Sequence, residues 1–307
     1  MQIFRSHEMK RFIVVLFSVV IAVAILLVIK NECTRFLPSP GFGMNEIVQA
    51  GEVEQLFMGS STFKRGLDIE VLEQNLPGKT YILAYNGNQP VMMVQELEYL
   101  VKSGLRIKKL YIDYYPYTIA AEPKVSDTRL FLDTDLNFKR SIWRELSSAE
   151  TSLTGRISLF FELFVTANND QILWWPVYRV LNRSKNRHGG SLQKLPGSTP
   201  EKLDSLPMLG TRDGVQKRQI DAIARMISFA KANQIDIHFI ETPKYERLLN
   251  DDDYKKIYKD AEDILSVHKI KPMTVQFDHA EASYFKDLVH LSGKGAEIYT
   301  RLLCEQM

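Results

Sequence analysis

Cysteine is scarce in this chain of 307 residues, which contains only Cys33 and Cys304. The two lie near opposite ends, one just beyond a long apolar run and the other in the final residues. Two cysteines placed in this way cannot form the disulfide framework of a small secreted domain, and they lack the spacing of a zinc site. A hydrophobic core therefore has to stabilise the fold, and 307 residues with 45% hydrophobic side chains suffice for one large domain.

An excess of charge of either sign is also missing. The formal net charge is +2 at pH 7. Residues 1–36 hold five of the 39 Lys and Arg and two of the 37 Asp and Glu, so the remainder has a net charge of −1. Binding to nucleic acid requires a basic surface, and this balance therefore argues against a nucleic acid as partner. With 25% charged residues, the composition is that of a folded protein.

One long apolar run is present, at residues 12–29 (FIVVLFSVVIAVAILLVI). As a helix it would be about 27 Å long, which nearly spans the hydrocarbon core of a bilayer. It predicts a membrane anchor. The alternative is a cleavable signal peptide, whose apolar stretch is typically shorter and ends in small residues, whereas Lys30 follows here. Basic residues at positions 5, 10 and 11 predict a cytoplasmic N-terminus, with residues 1–36 as anchor segment and residues 37–307 as a single extracytoplasmic domain.

Beyond the anchor, short apolar runs alternate with longer amphipathic ones, which is typical of an α/β domain with a parallel sheet flanked by helices. Asp68 and Ser292 are placed to cap helices, and Pro90 can open another that runs to about residue 103. A further helix is predicted over residues 253–267. The strand candidates are residues 53–58, 80–85, 109–113, 235–240 and 273–277.

Residues 139–215 interrupt this alternation with a helical insertion rich in aromatic side chains, followed by a polar stretch with Gly and Pro. The aromatic residues either pack the insertion onto the sheet, or form a lid over a site, or contact the membrane or a membrane partner. They are Trp143, Phe160, Phe161, Phe164, Trp174, Trp175 and Tyr178.

A candidate nucleophile follows the first strand, where the chain reads Gly59-Ser60-Ser61. Open parallel sheets keep their sites at the carboxyl ends of strands. Backbone N–H groups at the start of a helix would favour the oxyanion that forms when a serine Oγ attacks an acyl carbon. The alternative is that serine only caps the helix, since Ser is an ordinary N-cap residue. Ser60 and Ser61 are both candidates for the nucleophile.

A candidate base lies near the C-terminus, in the sequence DLVH that begins with Asp287 and ends with His290. Residues three apart can share one side of a turn, so the carboxylate of Asp287 can hold the imidazole in the tautomer whose other nitrogen accepts a serine proton. The rival base is His279, beside Asp278. Adjacent residues of an extended segment point in opposite directions, so Asp278 is badly placed to orient His279.

The combination and its order resemble the SGNH (GDSL-like) hydrolase superfamily, with a Gly-x-Ser after the first strand and an Asp-x-x-His before the last helix. Residues 58–68 (MGSSTFKRGLD) and 241–243 (ETP) are similar to its membrane-anchored Gly-Ser-Ser variant of the DltD type, whose members are associated with cell-envelope O-acylation. The resemblance implies a three-layer, doubly wound, flavodoxin-like fold. Alignment with the family motif favours Ser61 over Ser60 as the nucleophile. It also implies an oxyanion hole formed by the N–H groups of Ser61 and Gly87, with the side chain of Asn88 or Asn86 as a further donor.

One departure from the family pattern concerns the third strand, where a Gly-x-Asn-Asp block should supply a side-chain oxyanion donor. Here the sequence is YIDY, and the relevant residue is Asp113. An ionised carboxylate cannot donate a hydrogen bond, so Asp113 is predicted to be structural or to face substrate. The loss of one such donor typically lowers the rate about 10² to 10³-fold.

The function implied by the resemblance is a serine-dependent acyl ester hydrolase or O-acyltransferase acting on a cell-envelope glycan or polymer. No metal or organic cofactor is required for such a reaction. The implied partners are the acylated glycan, the membrane through the N-terminal helix, and a multispanning membrane O-acyltransferase. The alternative is a non-catalytic, membrane-anchored binding or scaffold protein that retains the fold.

Overall fold

A parallel sheet forms the centre of the protein. The computed structural model describes residues 2–35, 43–132, 134–148, 150, 152–166, 195–210 and 214–307. Within these residues, four parallel strands form one sheet in the order β2-β1-β3-β4. The strands are β1 (Glu52–Gly59), β2 (Thr80–Ala84), β3 (Arg106–Asp113) and β4 (Asp236–Ile240). The chain order reverses between β1 and β3, and this is where a doubly wound sheet opens a crevice for a ligand.

Helices connect and cover the strands. They are α1 (Gln2–Arg35), α2 (Met44–Gln49), α3 (Ser61–Gly66), α4 (Ile69–Asn75), α5 (Pro90–Lys102), α6 (Pro116–Ile119), α7 (Leu136–Ser147), α8 (Leu153–Phe160), α9 (Pro200–Ser205), α10 (Lys217–Ala232), α11 (Glu246–Leu249), α12 (Asp252–Val267) and α13 (Gly293–Gln306). Between β1 and β3 lie α3, α4 and α5, and the C-terminal helix α13 packs beside α3 and α4. Short 3-10 turns occupy Thr128–Leu132 and Ala282–Tyr284, and a π-helical turn occupies Phe161–Thr166.

Side chains of β1 alternate between two hydrophobic cores, one on each face of the sheet. Leu56 and Met58 belong to the core that contains α5 and α10, whereas Phe57 belongs to the core that contains α3, α4 and α13. The second half of β1, Leu56-Phe57-Met58-Gly59, is buried on both faces and is apolar, as is usual for a central parallel strand, whereas the first half carries Glu52 and Glu54. The predicted three-layer, doubly wound α/β fold is confirmed.

Several predicted helix ends are also confirmed. The carboxylate of Asp68 accepts hydrogen bonds from the first N–H groups of α4, and the hydroxyl of Ser292 accepts one from Gly295 in α13. Pro90 is the first residue of α5. These side chains satisfy backbone donors that the helix itself cannot, so they determine where each helix begins.

The prediction of a fifth strand at residues 273–277 is wrong. Only Met273 pairs with β4: its N–H donates to Phe239 O, at 2.7 Å, and its carbonyl accepts from Glu241 N, at 3.0 Å. Both bonds are made by Met273 alone, and no other residue of 273–277 pairs with β4. Beyond Met273 the chain leaves the sheet and forms one wall of a cavity that is described below.

The N-terminal helix α1 is long and apolar enough over Met9–Leu26 to be a membrane span or a signal sequence, and none of this stretch is buried in the protein. Most of the predicted insertion, residues 167–194, lies outside the described residues, and with it Trp174, Trp175 and Tyr178. In the described part, Phe164 is buried against Phe160, whereas Phe161 is 54% exposed. The division of the chain at residue 36 and the bounds of the insertion stay predictions.

A buried carboxyl group on α5 makes the stability of the fold depend on pH. Glu96 is fully buried, and it accepts hydrogen bonds from Tyr85 Oη and from Asn88 Nδ2. Burial raises the pKa of Glu96 to about 7, although both hydrogen bonds lower it. Because the pKa of Glu96 is higher in the folded than in the unfolded chain, protonation of this carboxyl stabilises the fold. The contribution is fully present below pH 4.5 and is lost as the pH rises through about 7.

We expect Glu96→Gln to flatten this dependence. The free energy of unfolding of the wild type should fall as the pH is raised from about 5 to about 8, and the fall should be smaller in the variant by about 1 to 2 kcal/mol. Urea denaturation at both pH values measures the difference, with the exposed Glu70→Gln as control. Equal slopes in wild type and Glu96→Gln would show that Glu96 does not titrate in this range.

Candidate active site

Ser61 is the first residue of α3, two positions beyond the end of β1. The N-cap of this helix is Ser60, whose hydroxyl accepts a hydrogen bond from Thr62 N at 3.3 Å. Ser60 is buried, whereas Ser61 is partly exposed. The capping role that the sequence left open therefore belongs to Ser60, and the hydroxyl of Ser61 is available for other contacts.

Glycine is required at the turn that precedes these serines. A Cβ on Gly59 would lie 2.6 Å from Asp113 Cβ and 2.8 Å from Phe63 Cβ, which is closer than real Cβ atoms approach. The absence of a side chain at Gly59 lets the end of β1 pass close to the end of β3, across the crevice where the strand order reverses.

The imidazole of His290 lies between Ser61 and Asp287. Ser61 Oγ is 2.8 Å from His290 Nε2, and His290 Nδ1 is 2.9 Å from Asp287 Oδ1 and 3.0 Å from Oδ2. A carboxylate can only accept, so Nδ1 carries a proton, and in the neutral imidazole Nε2 then accepts from the serine hydroxyl. Although 229 positions separate Ser61 and His290, the fold brings them into hydrogen-bond contact.

Backbone donors hold Asp287 in place and keep it ionised. Its Oδ1 accepts from Val289 N, at 3.0 Å, and from His290 N, at 2.9 Å. Burial raises the pKa of Asp287, but the hydrogen bond and charge of His290 and the two backbone donors outweigh burial and lower this pKa to about 2. The carboxylate is thus a fixed negative charge at neutral pH, oriented toward the imidazole.

Asp113, at the end of β3, binds both residues that flank Ser61. Its Oδ2 accepts hydrogen bonds from Ser60 N, at 2.9 Å, from Ser60 Oγ, at 2.6 Å, and from Thr62 Oγ1. The sequence left open whether Asp113 is structural or faces substrate. In the structure its carboxylate links the start of α3 to the end of β3. The sequence signal for it was only a carboxylate at the end of a neighbouring strand.

Gly87 and Asn88 follow β2, the other neighbour of β1. Gly87 has a φ of 72°, which favours glycine, and it is one of the residues that line a cavity of about 570 Å³. Asn88 is fully buried; its Nδ2 donates to Glu96, and its Oδ1 accepts from Gln89 N at 2.9 Å. Both ends of this side chain are engaged in a buried network that shapes the turn. The oxyanion role of Asn88 stays a prediction.

The rival base, His279, is in a different environment. Its Nδ1 lies 2.7 Å from the carbonyl oxygen of Lys244, and it lines a second cavity, of about 330 Å³. Lys244 is fully buried, and its Nζ donates to the carbonyl and hydroxyl oxygens of Thr242. Burial lowers the pKa of Lys244 to about 8, although nearby Asp113, Glu241 and Asp287 raise it.

Sequence reasoning missed a cluster of aromatic rings near these two cavities. Neighbouring rings lie 5.8 to 6.2 Å apart between centroids. Tyr115 and Tyr117 line the cavity of about 570 Å³, and Tyr254 and Tyr258 line the cavity of about 330 Å³. We call the whole cluster the tyrosine wall. Its members are Tyr114, Tyr115, Tyr117, Tyr254 and Tyr258. Two sequence features could have predicted the cluster: the motif YIDYYPY at residues 111–117, and two tyrosines four positions apart on α12.

Metal-binding side chains do not cluster in the described part of the chain: no group of three or more His, Cys, Asp or Glu residues there could hold a metal ion. The candidate site therefore consists of the hydroxyl, imidazole and carboxylate already described, together with the backbone groups around them.

Comparisons with known proteins add little to this geometry. No family model matches the chain, and no curated protein matches it. Among solved structures, 22 chains match. One is a candidate platelet activating factor from Streptococcus pneumonia, with 10% sequence identity and a TM-score of 0.31 over 94% of this chain and 98% of that one. A likeness at this TM-score is too weak to indicate a shared activity.

Proposed function

We propose that this protein is a serine-dependent acyl ester hydrolase or O-acyltransferase with Ser61 as nucleophile, His290 as base and Asp287 as the group that orients the base. The observation that carries the proposal is the pair of contacts made by one imidazole, 2.8 Å from Ser61 Oγ on one side and 2.9 Å from Asp287 on the other. A nucleophile, a base and an orienting acid in hydrogen-bond reach of one another are what acyl transfer through a seryl ester requires.

The reaction begins when Ser61 Oγ attacks the acyl carbon while its proton passes to His290 Nε2. The oxyanion that forms is held by the N–H groups of Ser61 and Gly87. His290 then returns the proton to the departing alcohol oxygen as the C–O bond breaks, and the acyl group stays on Ser61 as an ester. Water or a sugar hydroxyl attacks this ester in the second half, giving a free acid or a new O-acyl ester and restoring Ser61.

The N–H of Ser61 suits the oxyanion role because first-turn N–H groups have no acceptor within their own helix. Gly87 belongs to the turn after β2, and β2 ends beside Gly59, so both donors come from adjacent strand ends. The side chain of Asp113 accepts hydrogen bonds from Ser60 and Thr62 and is not counted as an oxyanion donor, so the proposed enzyme should be slower than one that has a side-chain donor there by about 10² to 10³-fold.

Substrate class follows from the place of the domain. We propose that α1 anchors the protein with its N-terminus in the cytoplasm and the α/β domain outside, where cell-envelope glycans carry O-acyl groups. A multispanning membrane O-acyltransferase that exports acyl groups would be the natural partner for transfer, whereas hydrolysis would need no partner. Support for this part is the apolar stretch Met9–Leu26 and the resemblance of residues 58–68 to envelope-associated proteins.

Covalent labelling tests the proposal. The full chain, purified in detergent, should react with a fluorophosphonate probe, and peptide mass spectrometry should locate the adduct on Ser61. Ser61→Ala should abolish labelling, since no other hydroxyl is bonded to the His290 imidazole in the described residues. Ser266→Ala is the matched control, because that exposed hydroxyl donates to Asp263 O on its own helix, and this variant should label as the wild type does.

An adduct on Ser60 would reassign the nucleophile. No adduct on a folded wild-type chain would contradict the proposal and favour the non-catalytic binding protein, for which the carboxylate at Asp113 is the supporting observation.

To separate transferase from hydrolase, ester-linked acyl groups can be measured on envelope glycans from wild-type and Ser61→Ala cells. Fewer esters in the variant indicate transfer, and more indicate hydrolysis.

A further inference from the structure

Lys244 is a buried cation to which the proposed reaction gives no role. The side chain is 1% exposed and lies in the segment that follows β4. Its ammonium group donates to Thr242 O, at 2.7 Å, and to Thr242 Oγ1, at 2.6 Å, and it lies 5.0 Å from the centre of the Tyr115 ring. Moving an ammonium group out of water is costly, so a lysine in this place requires compensating negative charge.

Three carboxylates supply that charge, and they belong to Asp113, Glu241 and Asp287. Burial lowers the pKa of Lys244 to about 8, and the three negative charges oppose this effect. The lysine is therefore mostly protonated at neutral pH. Among the described residues, the ammonium group is hydrogen-bonded to Thr242 and to none of the three carboxylates. Its charge thus acts on all three and is not paired with one of them.

Two of these carboxylates belong to the candidate active site. Asp113 accepts from both neighbours of the proposed nucleophile, and Asp287 orients the proposed base. The main chain next to Lys244 is bonded to the same region, because Tyr245 N donates to Leu288 O, at 3.1 Å, in the turn between Asp287 and the base. The buried cation is consequently linked to the active site both by charge and by a backbone contact.

We propose that Lys244 is a positioning residue of the proposed reaction, whose buried positive charge offsets the carboxylates of the site and thereby keeps the imidazole of His290 neutral. This inference rests on the proposed function, because it assigns Lys244 a part in the same chemistry. Only a neutral imidazole can accept the proton of Ser61. Negative charges near an imidazole favour its protonated form, and a nearby positive charge opposes them. Lys244 acts through the base and does not touch the reacting atoms.

The other groups around Lys244 already have partners. Glu241 accepts from Tyr258 Oη at 2.9 Å, and burial raises the pKa of Glu241, although Lys244 lowers it. His279 Nδ1 lies 2.7 Å from the carbonyl oxygen of Lys244 and therefore donates to it. Tyr115 presents the face of its ring to the ammonium group. Loss of the ammonium charge would leave the carboxylates of the active site without a cation that acts on both.

The pH dependence of fluorophosphonate labelling tests this role. The rate of labelling of Ser61 is measured on the full chain in detergent from about pH 5 to about pH 9, and it should fall on the acidic side as the imidazole is protonated. Lys244→Met removes the charge, and Lys244→Gln removes it but keeps a donor for Thr242. In both variants the acidic limb should lie about 0.5 to 1 pH unit higher than in the wild type.

Two further variants separate charge from packing. Lys244→Arg keeps the positive charge, so its acidic limb should coincide with that of the wild type even if the maximal rate falls. Lys255→Met removes an exposed lysine that pairs with Asp252, at 3.7 Å, and should change neither the limb nor the rate. Unfolded chains do not react, so the position of the limb reports only the folded molecules, and a destabilised variant still gives a result.

An acidic limb at the wild-type position in Lys244→Met or Lys244→Gln, with Ser61 labelled, would overturn the role of Lys244 and leave the proposed function intact. An equal displacement of the limb in Lys244→Arg would also overturn it, because charge would then not be the cause. A folded wild-type chain that is not labelled at any pH would contradict the proposed function itself, and this inference with it.

Discussion

Replacing His290 by alanine is expected to lower kcat/KM for an activated ester such as p-nitrophenyl acetate by about 10⁴-fold or more. The imidazole nitrogen 2.8 Å from Ser61 Oγ is the only base in hydrogen-bond contact with that hydroxyl among the described residues. Without it, Ser61 would have to attack as a neutral alcohol, and the proton would have no acceptor in place. Steady-state hydrolysis by the full chain in detergent measures the change.

The matched control is His268→Ala, which alters a histidine at the end of α12, away from the triad. This variant should hydrolyse the ester as the wild type does. Asp287→Asn should fall between the two. An amide oxygen in the place of Oδ1 can keep both backbone contacts, but the NH₂ group in the place of Oδ2 donates toward His290 Nδ1 and so favours the wrong tautomer. Undiminished hydrolysis by a folded His290→Ala variant would refute the proposed role of the imidazole.

Asp113 should have the largest effect on stability of any single residue near the site. Asp113→Ala is expected to lower the free energy of unfolding by about 3 kcal/mol or more, because it removes the acceptor of three hydrogen bonds from two fully buried residues. It also leaves Lys244, which is buried, with one negative neighbour fewer. Urea denaturation of the full chain, followed by tyrosine and tryptophan fluorescence, measures the loss.

Asp113→Asn is the matched variant. Its amide oxygen can take the place of Oδ2 and accept from Ser60 and Thr62, while its NH₂ group takes the place of Oδ1, which has no hydrogen-bond partner within the described residues. The expected loss of stability is about 1 kcal/mol. If alanine and asparagine destabilise the fold equally, the carboxylate is not the anchor of the turn before Ser61.

The parts of the fold that local sequence determines were predictable. Short apolar runs, such as Leu56-Phe57-Met58, marked the strands, and side chains that satisfy the first N–H groups of a helix, such as Asp68 and Ser292, marked where helices begin. Residues 273–277 show the limit of this reasoning. Their sequence predicts a strand, but the chain leaves the sheet after Met273, so only that residue pairs with β4.

Sequence order predicted a nucleophile, a base and an orienting acid, but not the distances between their side chains. Ser60 and Ser61 were both plausible caps, and only the direction of each side chain assigns Ser60 to the helix and Ser61 to His290. Asp113 was visible only as a departure from a family pattern. Its role as acceptor from both neighbours of Ser61 depends on how closely β1 and β3 approach at Gly59.

An N-terminal apolar helix, an α/β domain with a parallel sheet and a short set of residues capable of acyl chemistry were predictable from local sequence, because periodicity, capping and residue type act over a few neighbouring positions. Which of these residues come into contact depends on the packing of the whole fold. Contacts between Ser61 and His290, between Asp113 and Ser60, and within the tyrosine wall join distant parts of the chain. Their geometry follows from strand order and packing, which no local pattern encodes.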